Sequence, residues 1–237
     1  MSVPRLLALA LLVLAALPAQ AQRPAARAVL AAWADDWRRA AAGVTAIGVD
    51  ETVAQQIDGP RGAIEIDKRG RILYRPDAPP ERVPERFLIN GQPVDPELIP
   101  DMRRRADRAF GPGGRDFSAP PSLPSDLFRA AEALGLQDDR VGGRDAWRIA
   151  LRLDRGDRAE AWFTRSTTTP RLLRLRTDGR RPYGGRLVRD LQFVRVNGLD
   201  VPVTSRTTFT ARQRRRLRDY AVTLTADARY TGHRIVR

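Results

Sequence analysis

The chain is 237 residues long, carries 42 Lys and Arg against 28 Asp and Glu for a formal net charge of +14, and contains no cysteine. That length suits one domain with a sizeable core. The missing cysteines exclude a disulfide framework, a thiol nucleophile and cysteine-based zinc sites.

The basic excess is nearly all arginine, with Lys68 the only lysine. It reads first as a solvated basic surface and second as attraction to anionic lipid head groups. Nucleic acid is disfavoured as a partner, because no motif interleaves aromatics and glycines for base stacking.

Residues 1–21 open the chain as an export leader. Arg5 precedes an apolar run from Leu6 to Leu17, and Ala19-Gln20-Ala21 forms a small-x-small cleavage site before Gln22. The run is too short for a mature membrane helix, and no later segment is long and apolar enough to span. The expectation is a soluble periplasmic protein, processed between Ala21 and Gln22, with residues 22–237 forming one domain.

Pro24 to Ala42 predicts a helix with Val29, Trp33, Trp37 and Ala40 on one stripe. The period then changes to two. Ile47, Val49, Val53 and Ile57 alternate with polar or small residues, and Ile64 and Ile66 alternate with Glu65 and Asp67. Lys68-Arg69-Gly70 reads as a turn, with Arg71–Tyr74 and Arg82–Ile89 as strands. Asn90-Gly91 is a strong hairpin signal. Asp95-Pro96 can open a helix bearing Ile99, Met102, Ala106, Ala109 and Phe110. After the loop Gly111–Pro124, Ser125 reads as the cap of a short helix with Leu127, Phe128, Ala131 and Leu134, stopped at Gly135. Residues 95–135 are expected to be a helical insertion acting as a lid or plug.

The last hundred residues read as a meander. Trp147, Ile149, Leu151 and Leu153 alternate with polar or small residues, and Ala159, Ala161 and Phe163 continue the pattern. Pro170 breaks it, then Leu173 and Leu175 resume. Asp178-Gly179 and Gly184-Gly185 mark a turn, Asn197-Gly198 another, and strands over Arg186–Val196, Val201–Arg212 and Leu217–Tyr230 follow. Tight turns between strands argue an antiparallel sheet with one buried and one wet face. Trp162 is expected on the face opposite Phe163, exposed or under a loop.

Little in the chain points to catalysis. His233, the single histidine, reads as a solvated side chain near the terminus. No His or Cys cluster, nucleophile elbow or phosphate loop stands out. Asp50-Glu51, Asp35-Asp36 and Asp138-Asp139 read as surface charge, and neighbours on a strand point to opposite faces. The expectation is a protein without enzymatic activity, cofactor or metal. A curved sheet around helices can instead leave a cavity. Its candidate lining is Trp33, Trp37, Ile47, Val49, Ile64, Ile66, Met102, Phe110, Trp147, Ile149, Leu151, Phe163, Leu173, Leu191, Phe193, Phe209, Tyr220 and Val222. Each aromatic among them also fits a plain packed core.

The order of elements resembles the periplasmic lipoprotein-carrier superfamily, the LolA/LolB-like and outer-membrane lipoprotein-sorting proteins. The local match runs through Val141-Gly-Gly-Arg-Asp-Ala-Trp-Arg-Ile-Ala-Leu151, Ala159-Glu-Ala-Trp-Phe-Thr-Arg165, Pro170-Arg-Leu-Leu-Arg-Leu175, Asn197-Gly-Leu-Asp-Val-Pro202 and Ile89-Asn-Gly-Gln-Pro-Val94. The resemblance implies an α+β fold: a curved antiparallel sheet forming an unclosed β-barrel around helices. It implies a cavity for the acyl chain of a lipid or lipoprotein, and no cofactor. With no cysteine to anchor, it implies the diffusing kind of carrier rather than a tethered one. Arginines would attract anionic head groups or an acidic envelope protein. Two rivals stand beside it: a packed sheet working through its outer surface as an interaction or sensor module, and an enzyme with facing carboxylates.

Overall fold

The computed structural model describes residues 24–60, 62–75, 78–98, 101, 104, 120–181, 185–215 and 218–237. The expected leader, Met102 and Phe110 lie outside these residues, as does the Tyr220 side chain.

Helix α1 spans Ala26–Ala41 and buries Val29, Trp33 and Trp37, one residue per turn on a single stripe. Its last turn carries Arg38 and Arg39, which suits the negative end of the helix dipole. No side chain caps its start. The helix is therefore held mainly by what its apolar stripe packs against.

Eleven strands follow: β1 Ala46–Gly59, β2 Gly62–Tyr74, β3 Glu81–Ile89, β4 Gln92–Pro93, β5 Glu132–Val141, β6 Arg144–Arg152, β7 Arg158–Thr164, β8 Leu172–Arg181, β9 Gly185–Val196, β10 Leu199–Arg215 and β11 Arg218–Val236. They form one sheet in the order β4-β3-β2-β1-β11-β10-β9-β8-β7-β6-β5, and every paired neighbour is antiparallel. The first and last long strands meet at its middle, as Val53 faces Ala228. The edges are β4 and β5, and they do not pair, so the sheet stays open.

This order has a topological consequence. The chain leaves the sheet at one edge, β4, and re-enters at the other, β5, so the segment 94–131 must cross from edge to edge. Within it lie a 3-10 turn at Pro96–Leu98 and the five-residue helix α2, Pro124–Phe128. Phe128 stacks edge-on against Trp33 at 5.1 Å. The α2 end of this segment therefore packs on the face that α1 covers.

Local chemistry sets the hairpins. Asn90-Gly91, Gly142-Gly143 and Asn197-Gly198 all have positive φ at both central residues, the two-residue turn whose twist matches antiparallel strands.

Four local expectations need correction. Lys68-Arg69-Gly70 is no turn but the middle of β2, where the pairing with β3 shifts register. At Gly70 a Cβ would sit 2.5 Å from the Val83 carbonyl oxygen, so glycine there serves close strand approach. Asp178-Gly179 likewise lies inside β8, where cross-strand pairing outweighs turn propensity. Ser125 is not a cap, since Leu123 holds the N-cap position without a side-chain bond. Residues 132–135 are strand, not helix, with Gly135 at a bulge against β6. Leu127 belongs to α2, Ala131 precedes β5, and Leu134 is the exposed extra residue of the bulge, so their helical spacing marks no common face.

Acid–base pairs bridge neighbouring strands at Arg152–Glu132, Arg148–Glu160, Arg174–Asp190, Arg186–Asp178 and Arg206–Asp227. These five arginines thus stand in cross-strand pairs. Trp162 is buried after all. The Arg174 guanidinium lies 4.8 Å over its ring, and its indole N–H donates to Asp139 at 2.9 Å. The long arginine side chain covers the ring while its charge stays wet.

Candidate functional site

The inner face of the sheet has two ends of opposite character. Toward β6–β9 it is apolar: Ile149, Leu151, Ala161, Phe163, Leu172, Leu175 and Leu191 are each at most 2% exposed. Trp33 fills the space above. It contacts Trp37 at 5.6 Å, Phe128 at 5.1 Å and Phe163 at 6.1 Å between ring centroids. Phe128 and Phe163 also meet at 6.2 Å. Four rings from two helices and a strand thus occupy this end of the half-barrel.

Helix α1 is fixed there by polar bonds. The Trp33 indole N–H donates to Asp200 Oδ2 at 2.8 Å, and the Leu172 amide donates to the same oxygen at 3.0 Å. Asp200 is 1% exposed, and its Oδ1 has no hydrogen-bond partner among the described residues. Asp36 of α1 pairs with Arg195 of β9. Gly198 abuts the same helix, where a Cβ would lie 2.9 Å from that of Ala40. Arg237 donates to the Ala40 and Ala42 carbonyls at 3.3 Å each.

Burial pushes the Asp200 carboxyl above its ordinary value, against the bonds from Leu172 and Trp33. The folded state thus holds this proton more tightly than the unfolded chain. That contribution is fully present below the unfolded pKa of about 3.9 and is lost as pH rises through the folded one. Asp200→Asn is therefore expected to gain stability relative to the parent as pH climbs from about 4, then level off. Urea midpoints across that range check it; a pH-independent difference would show that the carboxyl titrates alike in both states.

Toward β1–β3 the inner face turns polar. Glu51, 4% exposed, is paired with Arg82, whose Nη2 donates to Oε1 at 2.8 Å while Nε lies 2.6 Å from Oε2 without hydrogen-bonding it. Lys68 donates to Gln55 at 2.9 Å, Arg189 to Thr207 at 3.3 Å, and Tyr230 to Ser205 at 3.3 Å. Burial pushes the Tyr230 hydroxyl up to about 12. These groups surround a void of about 20 Å³, with Pro121 of the crossing segment among its walls. That is room for about one water.

The structure places the expected lining unevenly. Trp33, Trp37, Ile47, Val49, Trp147, Ile149, Leu151, Phe163, Leu191, Phe193 and Phe209 fall in one buried cluster. Ile66 and Val222 are buried outside it. Ile64 is 43% exposed, near the β1–β2 turn where nothing covers it. Leu173 is only half-buried, because a bulge pairs Phe163 with Leu172 but Trp162 with Arg174 and leaves Leu173 as the extra residue. His233 is half-buried and bonds the Pro202 carbonyl at 2.9 Å, so it is not a solvated side chain.

Asp200, Glu51, Arg82, Arg189 and Tyr74 were not among the expected site residues. One of them, Glu51, left a trace in the sequence together with Gln55. Glu51 and Gln55 occupy the inward register between Val49, Val53 and Ile57, where a plain core would continue apolar. No group of three or more His, Cys, Asp or Glu side chains among the described residues could hold a metal.

No protein-family model matches the chain, and no curated protein matches it either. Solved structures do. One is described as an outer membrane lipoprotein-sorting protein domain from Vibrio parahaemolyticus, at 10% identity and TM-score 0.38, covering 85% of this chain and 91% of that one. A DUF1329 family protein from Desulfovibrio piger matches at 11% identity and TM-score 0.37, covering 88% and 93%. The MucA/MucB complex of Pseudomonas aeruginosa matches at 14% identity and TM-score 0.19, covering 85% and 93%. The architecture is an open, antiparallel half-barrel sheet. Within the half-barrel, the sheet is open, its concave face carries α1, and no described helix is long and apolar enough to cross a membrane.

Proposed function

We propose that the half-barrel is an exported, periplasmic binding protein that holds the acyl chain of a lipid or lipoprotein on its concave face. Helix α1 and the crossing segment are the elements that yield to the chain. The observation that carries this reading is the covering of the apolar floor. One 16-residue helix and a five-residue helix close it, with aromatic rings standing where a second layer would otherwise pack.

Desolvation would drive binding. Each buried methylene contributes about 0.8 kcal/mol, so a long acyl chain supplies roughly 10 kcal/mol before ordering costs. The rings need not return to water, because they can repack on the chain. Protein purified from its envelope without detergent is expected to carry extractable lipid, and the delipidated protein to bind a fluorescent fatty-acid probe. Native mass spectra without lipid, together with no probe binding, would overturn the reading.

A second reading has its own support. The apolar end is filled by Trp33, Trp37, Phe128 and Phe163, and the void is small and polar. A packed half-barrel of this kind suits a module that binds another envelope protein through its outer face. In that case the probe would fail to bind while a protein partner could be crosslinked to convex-face positions.

A further inference from the structure

We propose that the polar end of the concave face receives an anionic phosphate-ester head group, the head of the amphiphile whose chain lies on the apolar end. This rests on the acyl-binding reading. Three cations, Lys68, Arg82 and Arg189, line the pocket with a single carboxylate, Glu51, among the described residues. Each cation already has a partner within the protein, so an entering anion exchanges partners rather than filling bare charge.

Tyr74 adds an independent sign. It is 3% exposed, and its hydroxyl finds no hydrogen-bond partner among the described residues. It lies on the buried face of β2, two residues from Ile72, the strand partner of Arg82. Burying so many polar groups is costly, and apolar residues of the same size would stabilise the sheet as well or better. The fold alone does not account for them.

The spacing fits an amphiphile. One row of inward residues runs from Val53 to Ala228, Ser205, Leu191 and Leu175 on successive strands. The pocket and the apolar floor thus lie one to four strands apart along this row, roughly 5–20 Å at the usual strand separation. The enclosed space is only about 20 Å³, so the phosphate enters by displacing the partners that Lys68, Arg82 and Arg189 now hold.

The test compares lysophosphatidylglycerol, a monoacylglycerol of the same chain length, and glycerol phosphate without a tail. Calorimetry on the full processed protein is expected to give about tenfold tighter binding of the anionic lipid than of the neutral one. In a Lys68→Gln, Arg189→Gln variant that preference should fall below about threefold, with affinity for the neutral lipid unchanged. An Arg38→Gln, Arg129→Gln variant removes the same charge from exposed sites and should keep the preference. Circular dichroism melts confirm that each variant is folded. Equal affinity for both lipids in the parent, or equal loss in the surface variant, would overturn the proposal. If glycerol phosphate binds and neither lipid does, the pocket stands as a phosphate-ester site and the acyl-binding reading falls. If none of the three binds, both fall.

Discussion

Trp33→Ala is expected to lower the free energy of unfolding by about 4 kcal/mol. The indole is 2% exposed and touches Trp37, Phe128 and Phe163. Its removal opens a void that neither the sheet nor the short α2 can collapse into. It also leaves the buried Asp200 oxygen with the Leu172 amide alone. Trp33→Phe keeps most of the ring and loses only the N–H donor, so a smaller cost of about 1–2 kcal/mol is expected. Urea unfolding followed by circular dichroism separates the two. A cost below about 1 kcal/mol for the alanine variant would mean that α1 is not part of the cooperative core. If the rings give way to an acyl chain, the alanine variant should also bind the fatty-acid probe more tightly than the parent, because the space is already cleared.

Arg82→Met should cost about 3 kcal/mol, although it replaces a cation with an apolar side chain of similar length. The reason is the partner left behind. Glu51 is 4% exposed, and Arg82, donating from Nη2, is its salt-bridge partner. A buried carboxylate without its cation loses the attraction and keeps the desolvation cost. Adding Glu51→Leu to Arg82→Met should recover most of the loss, since a well-packed apolar pair can replace a buried ion pair at little net cost. A double-mutant cycle in urea measures this coupling. Additive losses from the two substitutions would mean that the pair is not energetically joined. Recovery would say more: the sheet does not need these charges to fold, as expected if they are kept for a ligand.

Both predictions concern positions whose roles the sequence disclosed to different degrees. The Trp33 stripe was legible, because a 3.6-residue period survives in the sequence whatever packs against it. Which rings it meets was not, since Phe128 arrives through the crossing segment and Phe163 through the sheet. Glu51 was half legible, as a polar residue in an inward slot of an alternating strand. Its cation Arg82 lies 31 residues away, across a register that no local pattern specifies. Asp200 was invisible as a buried group. It follows a hairpin signal, where an acid ordinarily reads as turn chemistry.

The local misreadings have two causes. Leu173 and Gly135 sit at bulges, where one extra residue shifts the inward face and breaks the two-residue period. Gly70 and Gly179 look like turn residues but lie inside long strands.

By itself, the sequence determined the elements: one amphipathic helix, a long run of alternating strands, and the Asn-Gly turns that join several of them. These depend on neighbours a few residues apart, so their periods and turn residues are written locally. Only the tertiary structure decided that the first and last long strands meet at the centre of an open sheet. It alone carried the 94–131 crossing between the edges and divided the concave face into an aromatic-filled end and a polar end. Those features come from strand registers and contacts between distant segments, and such energies exist only once the chain has closed on itself.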